Sequence, residues 1–255
     1  MLSFLLPVIY LSFISLGLPD SLLGSAWPVV RAELDAPLPM AGVITMVICA
    51  GTIVSSLMSD RLTRRLGAGL VTAVSVAMTA LALFGFSISR EYWQLCLWAI
   101  PYGLGAGSVD AALNNYVAIH YASRHMSWLH CMWGLGASLG PYIMGAALTG
   151  GMSWNTGYGA IALLQAVLTV VLLLSLPLWK KPADAPENGV RAKPLTMKQI
   201  LSIRGAREVM IAFFCYCALE QTAILWGSSY LVVNNGMNEE TAASLASLFL
   251  MGLTA

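Results

Sequence analysis

Residues 55–67, "SSLMSDRLTRRLG", decide how the rest of the chain is read. An apolar run ends here, Asp60 and three arginines (Arg61, Arg64, Arg65) follow, and Gly67 opens another apolar run. Basic residues confined to the joint between two long apolar runs are the mark of a membrane protein with this joint on the cytoplasmic side.

The composition agrees. The chain has 255 residues, of which 58% are hydrophobic and 10% charged. A soluble domain is nearer 25% charged, so the solvent for most of this surface is lipid. The formal net charge is +1, which excludes a nucleic-acid-binding role carried by charge. The five cysteines (Cys49, Cys96, Cys131, Cys215, Cys217) lie in apolar runs with no metal-ligand spacing, and are read as small buried hydrophobes. No metal or cofactor is expected.

Outward from the joint, apolar runs of about 20 residues fit bilayer crossings. Helices are expected near 4–29, 39–58, 67–88, 93–119, 127–150, 157–179 and 208–233. An eighth begins near 241 and reaches Ala255 after about 15 residues, too short to cross comfortably. The first run lacks a basic leader and is too long for a signal peptide; Gly17 and Pro19 are its expected bend points.

Of the 13 Lys and Arg, only Arg31 and Arg90 fall on the side opposite Arg61, Arg64 and Arg65. The others are Arg124 and the set Lys180, Lys181, Arg191, Lys193, Lys198, Arg204 and Arg207. This bias places the N-terminus in the cytoplasm and the chain in the cytoplasmic (inner or plasma) membrane. The polar stretch 180–206 reads as a cytoplasmic linker with a short surface helix at Met197–Ile203. The expected organisation is a six-helix bundle over 1–179, the linker over 180–206, and the start of a second bundle over 207–255, cut short. The fold class is all-α and polytopic.

The opening stretch also resembles the signature loop of the major facilitator superfamily, G-x-L-A-D-R-x-G-R-K/R. Asp60, Arg61, Arg64 and Arg65 match, while Ser56 and Thr63 replace its two glycines. The resemblance implies a twelve-helix transporter, about seven or eight of whose helices are in this chain, rocking two halves around a midplane site. It gives Asp60, Arg61, Arg64 and Arg65 the role of a conformational latch. It implies no enzyme.

A closer resemblance lies in "GSVDAALNNYV" (107–117) and "WLHCMWGLGASLGP" (128–141), which look like helices 4 and 5 of the fucose-permease-type branch of sugar/proton symporters. Asp110 and Asn114 fit that branch's acid and asparagine. Asn115 stands where proline is usual, and His130 and Trp133 stand where Gln and Asn are usual. "YCALEQTAILWGSSY" (216–230) is similar to its helix 7, with Glu220 as the acid.

Three acids, Asp20, Asp110 and Glu220, sit inside expected spans with no Lys or Arg in any span to neutralise them. A carboxylate at helix centre costs about 2.5–3.5 kcal/mol on insertion scales. Such acids suit proton binding and release as access alternates; the bland alternative is a permanently neutral acid bonded to a neighbouring helix. Asp110 and Asn114 share one helix face, and the same spacing joins Asp20 to Gly24 and Glu220 to Tyr216 and Ile224. Candidate proton carriers are therefore Asp110, Glu220 and Asp20. Candidate solute contacts are Asn114, Asn115, His130, Trp133, Gln221 and Trp226. The tryptophans Trp98, Trp133 and Trp226 lie within spans, where packing competes with stacking on a sugar ring. His120 and His125 are expected at the cytoplasmic gap, in water.

Two motifs compete. "GASLG" (136–140) matches the serine-hydrolase elbow, but within a helical span its small residues serve close helix packing instead. "GLGASLGPYIMG" (134–145) partly resembles the Gly-Pro motif of drug-efflux antiporters. Uptake of a small neutral, sugar-like solute with protons is the favoured reading, drug/proton efflux is second, and a non-transporting membrane protein is remote. The expected partners are solute, protons and lipid around a monomer.

Overall fold

Gly67, with φ 84°, ends a helix that the sequence reading stopped too early. In the computed structural model, which describes residues 2–179 and 197–254, α3 runs Met40–Leu66 and contains the whole Asp60–Arg65 stretch. The two signature glycines that would loosen this stretch are Ser56 and Thr63 here, so the first residue able to break the helix is Gly67. The stretch is the last turns of a helix, and Arg64 donates to Asp60 one turn away.

The described elements are all helical: α1 (Leu2–Asp20), α2 (Leu22–Glu33), α3, α4 (Ala68–Ile88), α5 (Tyr92–His120), α6 (Arg124–Thr149), α7 (Trp154–Ser175), a 3-10 turn at Leu176–Leu178, α8 (Met197–Leu201), α9 (Ala206–Asn235) and α10 (Glu239–Thr254). Five spans among the described residues are long and apolar enough to cross a membrane by length and composition: Leu5–Glu33, Met40–Leu66, Ala68–Ile88, Trp154–Leu178 and Ala206–Asn235. The expected first helix is two, α1 and α2, broken at Ser21 just after Pro19. Residues 180–196 of the expected linker lie outside the described residues, whereas its short helix is present as α8.

The helices pack as α1 on α6, α3 on α5, and α4 on both α5 and α7, with α9 against α2 and α10 against α6. Small residues set these approaches. A Cβ on Gly103 of α5 would lie 2.2 Å from the Ile48 carbonyl oxygen of α3, and one on Gly107 2.3 Å from that of Thr52. The hydroxyls of Thr52, Ser56 and Ser59 then donate across the same seam to the carbonyls of Gly103, Gly107 and Ser108, at 3.3, 3.1 and 3.3 Å. In lipid, close backbone contact and interhelical hydrogen bonds do the work that burial does in water.

Both ends of the bundle are tied by polar pairs. At the end carrying Arg124, Tyr10 Oη and His125 Nδ1 share a hydrogen bond of 2.7 Å. At the other, the indole of the fully buried Trp154 donates to Glu33 at 2.7 Å. The histidines are therefore not free in water as expected: His125 is bonded to Tyr10, and His120 stacks on Tyr116 at 4.2 Å between ring centres. The cysteines also differ from expectation. None is fully buried, and Cys49 and Cys215 are exposed. Exposed Met46, Ile53, Leu57, Leu163, Leu174, Phe213 and Leu219 share that outer surface, which suits lipid.

Candidate functional site

Asp20 is the last residue of α1, where the break before α2 frees the chain from regular helix. Two donors from other helices reach its carboxylate. Tyr102 Oη of α5 donates to Oδ1 at 2.7 Å, and Trp133 Nε1 of α6 donates to Oδ2 at 2.9 Å. The cradle supplies both oxygens without a cation. Charge-assisted bonds of this kind are about twice as strong as neutral ones.

The other two acids lie within electrostatic range of Asp20. The charges of Asp110 and Glu220 act on Asp20, and His130 interacts with both Asp110 and Glu220. One turn beyond the acids, a Cβ on Gly24 would lie 2.0 Å from the Ile224 carbonyl oxygen. The faces of α2 and α9 that follow Asp20 and Glu220 therefore touch backbone to backbone. Tyr216 Oη donates to Glu220 Oε1 at 3.2 Å, on the face expected from their spacing.

Asp110 accepts from Asn114 Nδ2 at 2.9 Å, again as the spacing predicts. That bond leaves Asn114 Oδ1 buried with no partner. A buried acceptor without a donor is uncommon and calls for an explanation. His130 is exposed and meets the edge of Phe13, ring centres 6.3 Å apart. Among the described residues the ion pair is Asp60–Arg64, so no Lys or Arg pairs with any of the three acids.

The remaining candidates spread out. Asn115 and Gln221 are exposed. Trp226 is partly buried against the core, its ring 3.9 Å from where a Cβ on Gly42 would sit. Trp98 packs its indole over Gly85. Tyr102 was missed as a site residue although it stands on the same helix as Asp110. Its one signal was a hydroxyl in a run otherwise small or apolar. Gln165 was also missed; it is 1% exposed and bonds Ser15.

The chain matches the Major Facilitator Superfamily over residues 9–255. It belongs to that family. Solved structures of similar fold include a D-xylose-proton symporter (10% identity, TM-score 0.68, covering 97% of this chain and 65% of the symporter). The nucleoside transporter NupG is similar at 14% identity and TM-score 0.72, with 97% and 64% covered. A peptide transporter, POT, gives 18% identity and TM-score 0.54, with 93% and 48% covered. This superfamily chain thus spans less than two thirds of the length of those transporters. No curated protein matches it. Membership makes it a multi-pass membrane protein of a transporter family, as the sequence reading expected. The narrower fucose-permease branch has no support from these matches.

Proposed function

We propose that this chain belongs to a proton-coupled secondary transporter that takes up a small neutral polar solute, sugar-like in its hydroxyl groups, by alternating access. The observation that carries this is the Asp110–Asn114 pair. Its amide is spent on the carboxylate and its buried carbonyl oxygen has no donor, so a solute hydroxyl satisfies it beside a titratable acid. Among the described residues no Lys or Arg pairs with these acids, which favours a neutral solute, because an anion would call for a fixed cation. That one of the similar structures is a D-xylose-proton symporter supports the class and not the sugar.

The test is the direction of proton flow. In proteoliposomes holding the protein, adding neutral monosaccharides or polyols outside should draw protons in. Proton exit on adding lipophilic cations, with no response to sugars, would replace this reading by efflux.

The proposed orientation puts the N-terminus and the end of α3 in the cytoplasm, on the charge bias of the joints. Ser59 is buried, so exposed positions serve as reporters. In a background with the native cysteines replaced, cysteine at Met152 should react with an impermeant maleimide from outside intact cells, and cysteine at Arg65 should not. The reverse pattern inverts the topology.

The role proposed for Asp60, Arg61, Arg64 and Arg65 is to latch one conformation. The Asp60–Arg64 pair is more than half exposed on both sides, so as a static bond it contributes only about 0.3–0.5 kcal/mol. Asp60→Asn should barely move the melting temperature and leave solute affinity intact, while slowing turnover. Unchanged turnover with lost affinity would refute the latch.

A further inference from the structure

Two prolines open the two helices that hold Asp20, and side chains from elsewhere close both openings. Proline has no N–H, so the carbonyl four residues earlier loses its helical donor. Pro19 frees the Ser15 carbonyl in α1, and Pro141 frees the Ala137 carbonyl in α6. In a membrane interior no water is there to satisfy either.

Gln165 of α7 donates its Nε2–H to the Ser15 carbonyl. Its Oε1 in turn accepts from Ser15 Oγ at 3.0 Å. One buried amide is thus satisfied at both ends by one residue of α1. Ser21, at the break between α1 and α2, donates Oγ to the Ala137 carbonyl at 2.7 Å. The Ser15 and Ser21 closures bracket Asp20 on both sides along the chain. Gln165 stands in an apolar run of α7 where nothing else calls for an amide.

We infer that Gln165 is a positioning residue for Asp20: by closing the turn that Pro19 opens, it fixes the end of α1 so that Asp20 stays between Tyr102 and Trp133. Asp20 is held by Tyr102 of α5 and Trp133 of α6, with Asp110 of α5, Glu220 of α9 and the Cys49 thiol of α3 within electrostatic range. Gln165 lines the same small cavity as Tyr102, but its hydrogen bonds among the described residues go to Ser15, so it acts on Asp20 through α1. The inference holds whether or not Asp20 carries the coupled proton.

Proline chemistry gives the test. Pro19→Ala restores an N–H that can reach the Ser15 carbonyl, which makes Gln165 dispensable. The probe is the side-chain carboxyl carbon of Asp20, read by NMR of protein carrying carbon-13 at aspartate carboxyls, in lipid. Its signal is assigned as the one lost in Asp20→Asn, and it responds to hydrogen bonding in either protonation state. Gln165→Met should shift or broaden the Asp20 signal and leave that of Asp110 in place. Pro19→Ala combined with Gln165→Met should return it to the wild-type position. If Gln165→Met leaves the Asp20 signal unmoved, or moves all aspartate signals together, the inference fails. If Gln165→Met does not yield folded protein, the double variant decides: recovery of both folding and the Asp20 signal supports the inference, and failure to recover overturns it.

Discussion

Asp110→Asn is expected to abolish uphill accumulation while leaving solute binding and solute-for-solute exchange intact. The substitution keeps the size of the side chain and its ability to bond Asn114, which lies one turn on at 2.9 Å. It removes the ability to take and give a proton. Moving one charge through a membrane potential is worth about 2.3 kcal/mol per 100 mV. At about 1.4 kcal/mol per tenfold, one proton per solute supports about fifty-fold accumulation. Without that proton, the solute should stop at equal concentrations on the two sides. Counterflow needs only a site that alternates, so labelled solute should still exchange. If the variant still accumulates solute in a pH-dependent way, Asp110 is a structural polar group, and Glu220 or Asp20 carries the proton.

What the sequence made legible here follows physical periodicity. Apolar length marked the five spans Leu5–Glu33, Met40–Leu66, Ala68–Ile88, Trp154–Leu178 and Ala206–Asn235, because bilayer thickness acts on local stretches of chain. Asp110 with Asn114 and Tyr216 with Glu220 were legible for the same reason, since residues four apart on a helix are neighbours. The end of α3 was misplaced at 58 because a charged residue ends a hydrophobic run without ending a helix. The helix continued through Asp60 and Arg65 to the first glycine. The break at Ser21 was half legible. Pro19 announced a bend, but what steadies it is Gln165, 150 positions away from Ser15. The cradle of Asp20 was hidden in the same way, since Tyr102 and Trp133 stand 82 and 113 positions from it. Pairings of that kind depend on which helices become neighbours, and no local pattern carries them.

The second large effect concerns the fold and the two readings of "GASLG". Gly136→Leu should remove folded protein from the membrane, while Ser138→Ala should cost under about 1 kcal/mol. A Cβ on Gly136 would lie 2.0 Å from the Ile14 carbonyl oxygen, and one on Gly140 2.2 Å from that of Leu18. From the other side, a Cβ on Gly17 would lie 2.1 Å from the Trp133 carbonyl oxygen. All three obstacles are backbone, so no rotamer change relieves the clash, and α1 and α6 must part. Parting them breaks the Trp133 bond to Asp20 and the Ser21 bond to the Ala137 carbonyl together. Ser138 Oγ, in contrast, donates to the Gly134 carbonyl of its own helix at 2.8 Å and is 1% exposed. It is shut away from any substrate, and its local bond adds little to a helix. Size-exclusion profiles of a fluorescent fusion report the folded fraction of each variant. A sharp, wild-type-like peak for Gly136→Leu would show that the α1–α6 seam yields more easily than its backbone contacts allow. A collapse confined to Ser138→Ala would instead return the motif to a chemical role.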